Sequence, residues 1–405
     1  MEPGLRFKAD DGSDFPDWEE KTLGELCAPL TYGMNAAATR FDGENRYIRI
    51  TDIDDKTHTC LSDDVVSPEG ELDNKYIVGN GDILLARTGA STGKSYLYHS
   101  KDGKLFYAGF LIKAHVLSSS DDYFVYSQTL TDKYWKWVKT TSMRSGQPGI
   151  NANEYASYSF AVPSLPEQRK IADLLSTVDS VIAAQQAEAD AWEQRKKGVM
   201  QKLFSQEVRF KADDGSDFPD WDEKTLGELS NLFVGKSFTS ELSKNGHYVV
   251  MDMGSVSPDG SIIDTKLTDS ARDLLDKDDL IMPKDDIGGG LIIGKTAYIP
   301  CDGKYVCGDH VYRLRFGKGV DSLFMHYEIN FTGTQKRLAR KVTGSAQLGL
   351  NSKNVSSEIV SIPSLSEQRK IADCLSSIDD VIAKEKAELA KWQELKKGLL
   401  QQMFV

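Results

Sequence analysis

Nothing in this 405-residue chain runs apolar for the roughly 20 residues needed to cross a membrane, so no membrane-spanning helix is expected. The opening MEPGLRFKADDGSDFPDW lacks the basic, apolar and small-residue succession of a secretory leader, and a cytoplasmic protein is expected. Cysteine is scarce. Cys27, Cys60, Cys301, Cys307 and Cys374 are odd in number and scattered, as free thiols in a reducing compartment are. Cys301, Cys307 and His310 invite a metal reading, but they fall on or beside strand-like sequence (YIPCDGKYVCGDHVYRLRF), and no metal is expected. Positive charge is in deficit, with 49 Lys and Arg against 61 Asp and Glu and a net charge of −12. That argues against a sheath held on nucleic acid by charge alone, while leaving room for a local basic face.

Catalytic constellations are missing too. None of the 12 prolines is adjacent to another, so the [DN]-P-P-[YF] motif of amino-methyltransferases is absent, as are G-x-S-x-G, H-E-x-x-H and C-x-x-C. DWEEK and DWDEK hold carboxylates near a lysine, as nuclease sites do, but exposed turns use the same residues and no nuclease is expected. One stretch points the other way: GGLIIGKT, residues 289–296, fits the phosphate-loop pattern G-x-x-x-x-G-K-[ST]. A phosphate loop must open a helix just after its lysine. Here TAYIPCDG follows Lys295, with strand-forming residues, a proline and a turn. The matching stretch elsewhere in the chain, TGASTGKS (88–95), lacks the first glycine. A Gly-Lys turn entering a strand is the shared element, with Lys94 and Lys295 as candidate phosphate contacts.

That second copy is part of a larger repetition. Residues 6–26, RFKADDGSDFPDWEEKTLGEL, return as 209–229 with a single change, Glu19 to Asp222. Residues 164–204 return, more loosely, as 364–404. A period near 200 residues is two copies of a whole module, not a solenoid. The inserts between these shared segments have similar lengths and little identity, yet echoes persist in register: GDILLARTG against DDLIMPKDD, GQPGIN against AQLGLN. They are expected to share a fold and differ at most surface positions. The implied organisation is a first variable domain (1–163, lead-in 6–26), a central helix (164–204), a second variable domain (205–363, lead-in 209–229) and a C-terminal helix (364–405).

Each shared helix starts with an apparent capping box, Ser164 with Glu167 and Ser364 with Glu367. Apolar residues then step by four and three through Ile171, Leu175, Val178, Ile182 and Trp192, and through Ile371, Leu375, Ile378, Ile382 and Trp392. This is a heptad seam. Some 38 residues make a rod of roughly 57 Å, longer than the roughly 30 Å breadth of a 135-residue module. The simplest arrangement is two rods packed antiparallel with pseudo-twofold symmetry, serving as a spacer. Leu174, Val181 and Met200 lie beside the seam, where partner helices could dock. The fold class is therefore α+β, two similar mostly-β domains separated by two long antiparallel coiled-coil helices.

Each variable domain reads as short strands followed by a helix, near DDYFVYSQTLTDKYWKWVKTT and SLFMHYEINFTGTQKRLARKV. Both helices end in positive charge without acids: Lys133, Lys136, Lys139 and Arg144, interleaved with Tyr134, Trp135 and Trp137, and Lys336, Arg337, Arg340 and Lys341. Such stretches suit a phosphate backbone; a solvated helix C-terminus favoured by the macrodipole has the same look. Arg49, Arg87 and Lys284, at strand ends or turns, could also approach a groove. The Gln147–Asn151 and Gln347–Asn351 pairs read as a structural turn.

These features together resemble the DNA-specificity subunit of type I restriction-modification systems along essentially the full length. The resemblance rests on the paired W-x-x-x-x-L-G-E lead-ins, on GDILLARTG, on VPSLPEQRKIAD and IPSLSEQRKIAD, and on the order of two modules and two rods. It implies a non-catalytic subunit whose two target-recognition domains each read one half of a bipartite, asymmetric sequence in double-stranded DNA. The helices would set the unread gap and dock two modification subunits. S-adenosylmethionine would sit on those partners, and ATP and Mg2+ on separate restriction subunits, two in a complex that cuts. A stand-alone bivalent DNA-binding regulator and a phosphate-loop enzyme are the alternatives.

Overall fold

The computed structural model describes residues 3–143, 147–344 and 347–404. The chain divides into two compact units, 1–186 with 387–405, and 187–386. The first unit is built on an antiparallel sheet in the order Thr31–Tyr32, Leu111–His115, Asp82–Ala86, Ser95–Leu97. The second repeats it with Ser230–Phe233, Val311–Phe316, Leu280–Pro283 and Ala297–Tyr298. A three-stranded sheet with one parallel pair accompanies each, Arg46–Ile48 beside Leu105–Tyr107 and Tyr248–Met251 beside Tyr305–Cys307. The four-stranded sheets share a topology, as the faint echoes between the inserts implied, while the third strand of the smaller sheet joins Leu105–Tyr107 in the first unit and Tyr248–Met251 in the second.

The apolar runs DILLA and LIMP have a direct cause. Both faces of the central strand are covered, so side chains of either parity must be apolar. Ile83 and Leu85 face the helices, in a core shared with Phe124 and Tyr155, while Leu84 and Ala86 face the second sheet, with Tyr96 and Tyr107. Leu280 and Met282 part from Ile281 in the same way. The single helix expected in each module is broken in two. Asp122–Gln128 gives way to Asp132–Thr141, because Thr129 and Thr131 turn their hydroxyls back onto the Tyr126 and Gln128 carbonyls and Thr131 caps a new start. In the second unit Phe331, with extended ψ, separates Ser322–Asn330 from Thr332–Ala339.

The long helices run from Leu165 to Phe204 and from Leu365 to Met403. Their sequences are rich in Ala, Leu, Gln, Glu and Lys, which cost little in a helix. The first stops at Gln206, whose φ of 59° is left-handed. In the first unit the start of one helix meets the end of the other: Ile171 and Leu175 share a core with Leu400, Met403 and Phe404, and Asp179 pairs with Lys396 at 2.7 Å. The second unit mirrors this, Ile371 and Leu375 with Leu203 and Phe204, and Asp379 with Lys196 at 2.6 Å. Rising numbers on one helix meet falling numbers on the other, so the pairing is antiparallel in each unit.

The expected capping boxes are not what Glu167 and Glu367 do. Ser364 accepts the Glu367 N–H at 3.5 Å, but both carboxylates turn away from the helix start. Each is fully buried and held through two bonds by an arginine of the lead-in segment, Arg6 at 3.1 and 2.9 Å and Arg209 at 3.0 and 2.7 Å. Next in sequence, Gln168 and Gln368 accept the backbone N–H of Asp121 and Asp321 and donate to the carbonyls of Pro163 and Pro363. Lys170 and Lys370 reach the carbonyls of Lys8 and Lys211. The repeated lead-ins and the repeated E-Q-R-K are thus two halves of one clamp. True capping boxes occur instead at Thr22–Glu25 and Thr225–Glu228. There the glycine of L-G-E is needed because a Cβ on Gly24 or Gly227 would press within 3.1 Å of Ala156 or 3.0 Å of Ser356.

Removing one partner of a buried ion pair leaves an uncompensated charge and costs about 3–5 kcal/mol. Arg6→Met is expected to lower the stability of the first unit by that amount, measured as a shift in denaturant midpoint. A loss under about 1 kcal/mol would show that the clamp contributes little.

Candidate nucleic-acid interface

One end of the central strand is built alike in both units. Arg87 and Lys284 leave that strand at equivalent positions. Their N–H groups donate to the carbonyls of Phe110 and His310 at 3.0 and 3.1 Å, and their carbonyls accept Ile150 and Leu350 at 2.9 and 2.8 Å. The chain then loops back, and Gly93 and Gly294 donate to Ala86 and Pro283. Both glycines have positive φ, 94° and 74°. Gly93 also lies so close under the helix Asp132–Thr141 that a Cβ would meet Val138 at 2.6 Å. Left-handed backbone and tight packing are therefore the reason for Gly in the Gly-Lys turn, and GGLIIGKT is a loop feeding the strand Ala297–Tyr298 with no helix after Lys295.

The basic residues singled out from the sequence have three fates. Lys133, Lys136 and Lys139 are exposed along one helix and Lys336 and Arg340 along its counterpart. Among the described residues no carboxylate lies within ion-pairing distance of Lys136, Lys139, Lys336 or Arg340. Arg144 falls outside the described residues. Others are committed to the protein itself. Arg337 and Lys341 clasp the buried Glu358 at 2.7 and 2.6 Å. Lys94 is buried, donates to the Ile53 carbonyl at 2.9 Å and pairs with Asp55, which withdraws it as a phosphate contact. Its equivalent Lys295 is half-buried, and burial pushes its ammonium pKa down against the pull of Asp259. Lys284 leans on Asp285 at 3.6 Å. Only Arg87, half-buried on the Tyr32 ring at 4.8 Å, stays at the strand end without a counter-ion among the described residues.

The aromatics between the lysines are not a stacking platform. Tyr134 is buried, and Trp137 packs on Tyr158 at 4.9 Å; Trp135 is the exposed one. They alternate with lysine because the helix is amphipathic. Asn151 and Asn351 cap short helices, which accounts for the turns in which they stand. Cys307 is buried, its thiol pushed up to about 11 by burial, while Cys301 is exposed. His310 faces Asp285 at 2.9 Å. The helical seam residues Ile171, Leu175, Val178, Ile371, Leu375 and Ile382 are buried; Ile182, Trp192, Ile378 and Trp392 are half-buried.

A model of the type I restriction modification DNA specificity domain matches the chain twice, over residues 16–191 and 219–392. The chain belongs to the type I restriction-modification specificity family. Each matched span takes in the second half of a lead-in, a variable module and most of the following helix. A type I restriction enzyme MjaVIII specificity subunit from Methanocaldococcus jannaschii is 26% identical over 413 aligned positions, covering 97% of this chain and 94% of that protein. The crystal structure of the type I S subunit from M. genitalium shares the fold at 16% identity, with a TM-score of 0.64 and coverage of 100% and 99%. A structure solved for assembly and conformational transition of a type I system follows at 16% identity and TM-score 0.54, covering 96% and 97%. No helix among the described residues is long and apolar enough to cross a membrane.

Near the basic helix of the second module, burial pushes Glu328 up to about 7, Thr334 and Arg337 pull it down, and Glu358 adds to the rise. An acid whose pKa is raised on folding binds more protons in the folded state between its two pKa values, so stability falls as pH rises through that window. Buried His326, held down to about 4 chiefly by burial, has the opposite slope between about 4 and 6.5. Glu328→Gln should therefore leave the second unit more stable at pH 8 and, with the histidine slope uncovered, more sensitive to acid below 6.5. Thermal melts across pH 5–8 that superimpose for variant and parent would reject this assignment.

Proposed function

We propose that this chain is the sequence-reading subunit of a type I restriction-modification complex and carries no catalysis of its own. Each module reads one half of a bipartite, asymmetric target in double-stranded DNA. The observation that carries this reading is a retained frame with altered tips: the backbone hydrogen bonds at the strand end are the same in both units, while Tyr32, Arg87 and Phe110 become Val234, Lys284 and His310. Two differing readers on one chain fit two different half-sites, and tethering makes the second binding step intramolecular. Lys136, Lys139, Lys336 and Arg340 suit sequence-independent phosphate contacts that set register. S-adenosylmethionine, ATP and Mg2+ belong on the partner subunits, two modification subunits and, where the complex cuts, two restriction subunits. The paired long helices, with Leu174, Val181 and Met200 beside the seam, are the proposed dock and ruler.

Co-expression with a type I modification subunit from the same genome, followed by mapping of methylated adenines, should return one two-part motif with a fixed gap. A chain that binds and turns over ATP alone, or that co-purifies with no methyltransferase, would overturn the reading. Four residues added to each long helix, after positions 186 and 386, lengthen the rods by about 6 Å. The preferred gap should grow while both half-sites stay the same; an unchanged gap would remove the ruler.

A further inference from the structure

We propose that Arg87 reads a guanine in the half-site of the first module, its guanidinium laid on the Tyr32 ring and its free edge offered to the base. This rests on the DNA-reading function proposed above and assigns one residue of it.

The first ground is the company arginines keep in this chain. Arg6, Arg49, Arg209, Arg272 and Arg315 are all part-buried, and each holds a carboxylate. That is the expected state, since a guanidinium taken from water needs compensation. Arg87 has none among the described residues. Its Nη1 makes one long bond to the Gly109 carbonyl at 3.4 Å, and its buried Nε donates to nothing. With five N–H donors on a planar fork, most of its bonding capacity is unspent. In a chain with net charge −12, a counter-ion would have been easy to supply. Arg46 and Arg313 are also part-buried without a carboxylate, but Arg46 donates to the Leu61 carbonyl from the strand Arg46–Ile48, and Arg313, on the Phe233 ring at 4.6 Å, stands inside the strand Val311–Phe316, paired on both sides.

Geometry supplies the second ground. Arg87 directly follows the strand Asp82–Ala86, and its backbone is bonded on both sides, to Phe110 and to Ile150, which fixes its Cα at the strand end. The aromatic ring beneath it limits the plane of the fork. A contact fixed in position and plane is what base discrimination requires, and bidentate Arg to guanine O6 and N7 is the commonest specific contact in the major groove. Sequence-independent phosphate contact needs no such fixing. Beside Arg87 stands Phe110, 60% exposed, whose carbonyl accepts the Arg87 N–H. An apolar side chain at a reading edge suits a thymine methyl group or an unstacked step. In the second module the equivalent Lys284 is drawn to Asp285, so that half-site should not share this guanine.

The test is selection from a randomised duplex library by the complex purified with its partner subunits, followed by sequencing. Arg87→Gln should erase the preference for guanine at one position of one half-site, by on the order of 5- to 150-fold. Other positions, the second half-site and the salt dependence should be unchanged. Uniform weakening on all sequences, with a shallower salt slope, would make Arg87 a phosphate contact and overturn the proposal. So would a guanine preference left intact. If Arg87→Gln abolishes every preference in its half-site, the module is damaged, and Arg87→Lys decides: weakened guanine preference at one position supports the assignment, an unaltered motif rejects it. A parent complex that enriches no half-sites at all would overturn the underlying function as well, which separates the two failures.

Discussion

Each unit is closed by a helix end that arrives from the other repeat. In the first, Phe404 packs on Phe124 at 5.6 Å, and Lys396 reaches Asp179, which also accepts the Tyr123 hydroxyl. In the second, Phe204 packs on Phe324 and Phe331 at 5.8 and 5.3 Å, and Lys196 reaches Asp379 beside Tyr327. Burial, with the aspartate charge, pushes both tyrosine pKa values far up and keeps the phenols protonated as donors. Because one aspartate serves a tyrosine of its own module and a lysine of the opposite helix, neither side can change alone. Removing any member leaves part-buried polar groups short of a partner. This mutual dependence explains why the helices repeat so closely in sequence while the modules do not.

The large architecture was legible because it is written in periodicities. The repeat of about 200 residues gave two modules, and the heptad steps at Ile171, Leu175 and Val178 picked out a face that the structure buries. What periodicity cannot show is where a polar side chain finds its partner. Glu167, three residues after a serine, has the spacing of a capping box, yet Arg6, 161 positions away, takes both oxygens. Lys94 looks like a surface cation in TGKS, and a carbonyl 41 positions back receives its ammonium. The break between Gln128 and Asp132 was missed for a local reason: Thr129 and Thr131 compete for backbone carbonyls, and their flanks remain helical. One signal could have been read earlier. T-L-G-E carries a true capping box, and its glycine marks a close helix approach.

The negative net charge is no obstacle to a DNA-facing edge once the partners of the cations are known. Arg6, Arg209, Arg337 and Lys341 neutralise three carboxylates that are nearly inaccessible, Glu167, Glu367 and Glu358, and so serve the fold. Among the described residues, Lys136, Lys139, Lys336 and Arg340 on two corresponding helices, and Arg87 at a strand end, have no carboxylate within ion-pairing distance and remain available to a ligand. Counting lysines and arginines therefore misjudges such a chain; what matters is which of them lack an internal partner.

The same distinction bears on how specificity can change without loss of the fold. The backbone bonds around residues 87 and 284 involve only N–H and C=O groups, which every residue except proline supplies in full. The side chains there are consequently free to vary: Arg87 against Lys284, Phe110 against His310. By contrast the clamp at Glu167 and the Tyr123–Asp179–Lys396 contact depend on particular side chains and tolerate little. A chain arranged this way separates residues that must be kept from residues that can be exchanged, and places the exchangeable ones at a strand end whose position the sheet has already fixed.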